Sequence, residues 1–233
     1  GTTASNGSGS ITSTVQANTK SGFSIMTYTG NGSAGATIGH GLSAKPDLIF
    51  TKRRSSNQTW GVYHSALGAT KYLALNSNAA AGTSTLFWND TEPTDSLITF
   101  GTEGRVNQSS GTYVAYAWHN VEGYSKFGSY EGNANNDGPF VYTGFRPRML
   151  WIKEADNADD WVVYDTARDT FNSGSSKVLR YETYVAEYDN ASRAIDMLSN
   201  GFKIRTSNNT INQSSTFVYG CFGDVPFKYN NTF

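Results

Sequence analysis

Three histidines (His40, His64 and His119), one cysteine (Cys221) and 19 carboxylates are what this 233-residue chain offers for acid–base, nucleophilic or metal chemistry. A Ser/His/Asp relay would have to recruit His64, its neighbour Ser65 and an acid, but no strained G-x-S-x-G elbow is present to present a serine. His40 precedes the turn into an apolar run and reads as an imidazole bonded to backbone rather than as a base. Cys221 lies in "FVYGCFG", a strand pattern. Reactive thiols need an exposed electropositive setting, so a buried, inert thiol is expected. A single cysteine excludes an intrachain disulfide, which leaves stability to packing or to assembly with other chains.

The loop "EADNADD" gathers Asp156, Asn157, Asp159 and Asp160, and hard cations want several oxygens close together. The spacing is not that of an EF-hand and a solvated acidic turn is the favoured reading, with Asp156, Asp159 and Asp160 the residues to watch for a metal. Glu92 with Asp95, or Asp165 with Asp169, could form a glycosidase carboxylate pair if their separation allowed it. Exposed acidic turns are the plainer explanation. No catalytic residue and no cofactor are assigned, and a non-enzyme is expected.

The elements that would position these groups are written twice. "VNQSSGTYVAYAWH" at 106 has a counterpart in "INQSSTFVYGCF" at 211, "YTGNGSAG" at 28 in "YEGNANNDG" at 130, "KPDLIFTK" at 45 in "RPRMLWIK" at 146, "WGVYHS" at 60 in "WVVYDT" at 161, and "YSKF" at 124 in "PFKY" at 226. The offset stays near 101 to 105 residues, so the chain is an ordered duplication with units of about a hundred residues, too long for a solenoid repeat or propeller blade. Alternation in "TYVAYAWH" sets Tyr113, Ala115, Ala117 and His119 against Val114, Tyr116 and Trp118, the signature of a central strand. Short apolar runs entered from proline, separated by Gly/Asn turns, predict an all-β fold of two tandem, internally duplicated β-sandwich units, jelly-roll or concanavalin-like. Boundaries fall at 1–22 for a linker or assembly arm, 23–127 for the first repeat and 128–233 for the second. The best helical pattern, 180–198, reads equally as two short strands and a loop.

The duplication also acts as an internal control. The "GHGL" around His40 faces "YTGF", His64 faces Asp165, and His119 faces Gly223, so imidazole is not a fixed requirement at these places. Trp60 and Trp161 occupy equivalent strand positions and are expected in the core of each half. Trp88, in "TLFWNDTEP", has no obvious counterpart and adjoins a polar loop. With Asn89 and Asp90 it is the preferred ligand-binding candidate, a platform for a sugar ring, although core packing is the favoured reading of the ring. Asn-X-Ser/Thr patterns at Asn31, Asn57, Asn89, Asn107 and Asn190 follow from composition.

Charged residues make up 16% of the chain and the formal net charge is -1, so no basic field is available for nucleic acid or an acidic membrane. No run of 18 apolar residues occurs, and the N-terminal stretch lacks the basic start and apolar middle of a secretion signal, so a soluble chain or a soluble piece of a longer one is expected.

The phrases "GFSIMTYTGNGSAGATIGHGLSAKPDLIFTKRR", "WGVYHSALGATKYLALNS", "FWNDTEPTDS", "GYSKFGSYEGN", "DGPFVYTGFRPRMLWIK", "LSNGFKIRTSNNTIN" and "PFKY" together resemble a β-rich domain of tail-fibre and other virion structural proteins of tailed bacteriophages, particularly marine ones. The likeness runs from about Gly22 onward and departs from the family pattern mainly at "RYETYVAEYDNAS". It implies a virion location and an attachment role without supplying a catalytic residue or a ligand. The expected function is a non-enzymatic tail-fibre or appendage segment, a homo-oligomer such as a trimer, contacting other virion proteins and a host-surface glycan through multivalent weak contacts. A capsid-decorating or purely structural spacer, a lectin-like module and a polysaccharide depolymerase are the rivals.

Overall fold

A computed structural model describes residues 2–170 and 172–224. Over them the chain is all-β with several antiparallel sheets. They fall into two compact units: residues up to Asn76 with Ala81–Asn120, and Ser77–Ala80 with Val121 onward. No helix among the described residues is long and apolar enough to cross a membrane. The "PFKY" counterpart at 226 lies outside the described residues.

The first unit runs β1 (Ala4–Asn6), β2 (Ser13–Asn18), β3 (Phe23–Thr29), β4 (Ala36–Gly39), β5 (Leu48–Arg53), β6 (Gly61–His64), β7 (Lys71–Tyr72), β8 (Gly82–Thr83), a helical turn α1 (Thr85–Trp88), β9 (Leu97–Phe100) and β10 (Thr112–Trp118). Six strands form one sheet in the order β1-β2-β3-β10-β5-β6, while β4 pairs with β9 and β7 with β8. The predicted alternation holds: Tyr113, Ala115 and Ala117 of β10 are buried while Val114, Tyr116 and Trp118 are half-buried, and β10 is central, flanked by β3 and β5. Met26, Tyr28, Ile49, Tyr113 and Ala115 from the large sheet join Ala36, Ile38, Ile98 and Phe100 from the β4–β9 pair in one core. Each of the large aliphatic or aromatic side chains buried in it contributes roughly 1.5–3 kcal/mol.

The second unit runs β11 (Ser125–Glu131), β12 (Phe140–Tyr142), β13 (Pro147–Glu154), β14 (Trp161–Asp165), β15 (Ser176–Arg180), β16 (Tyr188–Asn190), a 3-10 turn Ala191–Arg193, β17 (Ile195–Leu198), β18 (Gly201–Ile204), a helical turn α2 (Asn209–Asn212) and β19 (Thr216–Gly223). Its large sheet has the order β11-β19-β13-β14-β15-β16, with β12-β18-β17 as a three-stranded companion. The run β11-β19-β13-β14 reproduces β3-β10-β5-β6. Register agrees: Tyr113 lies opposite Tyr28 as Phe217 lies opposite Tyr130.

The repeated phrase is a latch. The buried Asn107 accepts the Asn31 N–H on Oδ1 (3.0 Å) and donates Nδ2 to Asn31 Oδ1 (3.3 Å), Ser33 O (2.9 Å) and Gly101 O (3.0 Å). The buried Asn212 accepts the Asn133 N–H (2.9 Å) and donates to Asn133 Oδ1 (3.0 Å), Asn135 O (2.7 Å) and Thr206 O (2.7 Å). Beside each latch a tyrosine hydroxyl, Tyr28 or Tyr130, donates to the carbonyl of Val106 or Ile211 at 2.6 Å. An amide suits the place because its short planar group sets two N–H donors beside an accepting oxygen. Gly30 and Gly132 pass so close that a Cβ would lie 2.5 Å and 1.9 Å from the carbonyls of Gln108 and Gln213.

Several expectations need correction. Residues 1–22 are not a loose arm: Ser13 and Val15 alternate with exposed Thr14 and Gln16, so β2 has an inward face and pairs with β3 in the sheet. The second unit takes in β11 from Ser125 on, ahead of the expected boundary at 128, because β11 pairs with β19. Trp60 and Trp161 are not equivalent in setting. Trp161 opens β14 and is fully buried against Trp151 (centroids 5.4 Å), whereas Trp60 precedes β6, stays half-buried and lies under Lys52. The 180–198 segment is strand and loop with one 3-10 turn at Ala191–Arg193.

Candidate functional site

The imidazoles serve backbone geometry. His40, completely buried, accepts the Leu42 N–H on Nδ1 (3.2 Å) and meets the Thr94 carbonyl through Nε2 (3.3 Å), which assigns the proton to Nε2. In the second unit the Thr143 hydroxyl stands there and turns to the Phe145 carbonyl (2.6 Å) and N–H (3.5 Å). His64 Nδ1 accepts the Ala66 N–H (3.2 Å), as Asp165 Oδ1 accepts that of Ala167 (2.8 Å). Ser65 Oγ donates to Asp47 (3.0 Å), so this serine is not wired to His64 as a nucleophile would be. His119 Nδ1 lies 2.7 Å from the Asn120 carbonyl. Burial holds His40 below the usual histidine range and pushes the Cys221 thiol up.

The carboxylates are occupied likewise. Asp156 accepts the Thr216 N–H (2.8 Å), Asp159 that of Asp160 (2.7 Å), and Asp160 Oδ2 takes Arg193 (2.8 Å) and Arg180 (3.0 Å). The loop therefore turns its acids to separate partners, and no group of three or more His, Cys, Asp or Glu among the described residues is placed to hold a metal. Glu92 binds Lys45 Nζ (2.7 Å), Tyr63 Oη (2.5 Å) and the Ala69 N–H (2.7 Å); burial alone would raise it, but these donors hold it below the usual range. Asp95 instead lines an open polar cleft of about 250 Å³ with Asn6, Ser8, Gly41, Ser43 and Ser96. Asp165 and Asp169 do share a crevice, with Asn172 and Met197, but its volume of about 10 Å³ admits one water and no sugar ring.

Among the described residues Lys153 is the one lysine taken fully inside, donating Nζ to the Glu154 carbonyl (2.6 Å). Burial pulls its ammonium down to about 8, against the opposing pull of Asp159, Glu154, Glu182 and Asp160.

Of the two readings of Trp88, the ring takes the core-packing one rather than that of a sugar platform. Trp88 is 1% exposed. Ser84 caps α1, and the turn rolls Phe87 and Trp88 inward against Tyr63 and Phe100. Asn89 (φ 52°) and Asp90 (φ 48°) follow in left-handed conformation as the turn that ends α1.

Exposed aromatic side chains among the described residues are Tyr181 and Tyr184 in the segment after β15 and, alternating on one strand, Phe140 and Tyr142 of β12. Phe140 is 45% and Tyr142 66% exposed, while Val141 between them enters the core. Phe140 sits by Gly201 and Tyr142 by Gly144: an added Cβ would come within 3.1 Å of the Phe140 ring and 3.6 Å of Tyr142 Oη. On the same face Lys203, opposite Phe140, donates to the Gly138 carbonyl (2.8 Å) and pairs with Asp137 (2.8 Å). Asp196 stands opposite Lys203 and pairs with Arg205 Nε (3.3 Å). In the first unit the corresponding strand carries Thr37 and Gly39, and the chain's own leading segment lies over them. Ser10 N donates to Thr37 Oγ1 and Thr37 N to Ser10 Oγ, both at 2.9 Å, and a Cβ on Gly39 would lie 2.3 Å from Asn6 Oδ1. The signal was present in "PFVYTGF", where two rings alternate outward at places occupied by Thr and Gly in the other copy.

No curated protein and no solved structure matches the chain. A family model described as a domain of unknown function, DUF7483, matches residues 1–226. With the match spanning both units and the latches that repeat between them, the chain belongs to the DUF7483 domain family.

Proposed function

We propose that the chain is a non-enzymatic component of a tailed-bacteriophage virion, a tail-fibre or appendage segment serving attachment to a host surface. It is built from two tandem sandwich units of jelly-roll or concanavalin-like type and works as a homo-oligomer. The observation that carries this reading is the interchange of His40 with Thr143 and of His64 with Asp165 in the same backbone hydrogen bonds. Groups capable of catalysis hold turns in shape, and a scaffold with outward loops is what remains for function. The resemblance of the quoted phrases to virion proteins of marine phages supports the location.

Immunogold electron microscopy with antibody raised against the purified chain tests the reading on particles that encode it. Gold on tail appendages is expected, together with a multiple of the 25.3 kDa chain mass in light scattering. Gold over the capsid would favour the decorating-protein reading, and unlabelled particles would remove the virion reading altogether.

A further inference from the structure

We infer that the outer face of β12, β18 and β17, centred on Phe140 and Tyr142, is a binding site for a neutral saccharide. The inference rests on the attachment reading and names the ligand class it would use. Residues two apart on a strand stand about 6.5–7 Å from one another, a span that one pyranose ring and its glycosidic neighbour cover. Each ring has a glycine at its back, Gly201 behind Phe140 and Gly144 behind Tyr142, so no side chain there props it away from the backbone. Such rings offer a π-face to the C–H face of a sugar, and the apolar body of tyrosine ends in a hydroxyl that remains available to hydrogen-bond it.

The surrounding charges select the ligand. Lys203 is matched by Asp137, and Arg205 by Asp196. Both acids and both bases are spent on one another, so the face presents polar donors and acceptors without a net field. Phosphate or sulfate would have to break these pairs, whereas uncharged hydroxyls can join them. In the first unit the equivalent face is covered by the chain's own residues 6–10, a bent segment in which the Ser8 N–H meets Asn6 Oδ1, with Ser10 on Thr37 and Asn6 beside Gly39. In the second unit Phe140 and Tyr142 stand where the covering segment would run, which disfavours a peptide as occupant.

The experiment uses the full chain on a printed array of bacterial capsular and O-antigen polysaccharides, followed by titration of the strongest neutral binder. Tyr142→Ala and Phe140→Ala are each expected to weaken binding about tenfold or more, as truncation of an aromatic anchor does. Tyr142→Phe should retain most of it, and Tyr184→Ala, outside the face, all of it. Thermal melts of each variant verify folding, which these exposed positions should leave unchanged. Binding that survives both alanine substitutions, preference for anionic over neutral glycans, or an array with no bound polysaccharide would each overturn the assignment. A blank array with gold on tail appendages removes this site and leaves the attachment reading standing. A positive, Tyr142-dependent array with unlabelled particles does the reverse.

Discussion

Asn107 and Asn31 hold each other twice, side chain to backbone and side chain to side chain, and Asn212 and Asn133 repeat the arrangement about a hundred residues on. Replacing Asn107 or Asn212 by alanine leaves buried carbonyls without donors, so each variant should lose about 1–3 kcal/mol in urea denaturation. The two losses should be similar and, being far apart in sequence and in separate units, close to additive. A loss below about half a kilocalorie per mole in either variant, the scale of ordinary surface substitutions, would show that the phrase is repeated for some other reason.

His40 gives a pH dependence with a definite sign. Its imidazole is held below the ordinary range, chiefly by burial, so as pH falls below about 6.5 the unfolded chain takes up a proton that the folded chain refuses. Stability contributed by the neutral ring is therefore present above that pH and lost below it. His40→Thr, which copies Thr143, should flatten the fall in melting temperature between about pH 7 and 5 relative to the unaltered protein. Parallel curves would mean that His40 is protonated as readily folded as unfolded.

Lys153 acts in the opposite window. Its folded value is about 8, against about 10.4 in an unfolded chain. Below pH 8 both states carry the charge and the fold bears the full burial cost. Between roughly 8 and 10 the folded lysine gives up its proton while the unfolded one keeps it, and stability rises with pH. Compared with Lys153→Met, the unaltered protein should gain on the order of 1–3 kcal/mol over that interval, read from denaturant melts at pH 7.5 and 9.5. An unchanged difference between the two proteins would place the ammonium in contact with solvent.

Trp88→Ala separates a core role from a surface role. Removing a buried indole should cost about 3–5 kcal/mol and lower the melting temperature sharply, while saccharide affinity of the remaining folded protein stays as it was. Lost affinity without lost stability would restore the platform reading.

What the sequence made legible was what its periodicities record. Strand alternation placed Tyr113, Ala115 and Ala117 inward, and the apolar neighbours of Cys221 announced a buried thiol, while the doubled phrases pointed to two halves without fixing their limits. What it concealed depended on a local turn or on distant pairing. The polar residues after Trp88 suggested surface, yet four residues of helix capped by Ser84 were enough to turn the ring inward. The Gly/Ser-rich start suggested slack chain, yet "STVQAN" supplied an inward face that β3 could pair. Acidic residues in "EADNADD" read as a solvated turn, with a cation loop as the rival, yet Arg180 and Arg193 arrive from 20 and 33 residues away to take Asp160. Distance along the chain hides such partners from any reading of neighbours.

The leading segment that shields Thr37 and Gly39 has a consequence for valence. Among the described residues the second unit presents the β12 rings, while the matching place in the first unit lies beneath residues 6–10. On the saccharide reading proposed for β12, shortening that lid and writing Phe and Tyr beneath it would give the first unit a copy of the same face with no new architecture.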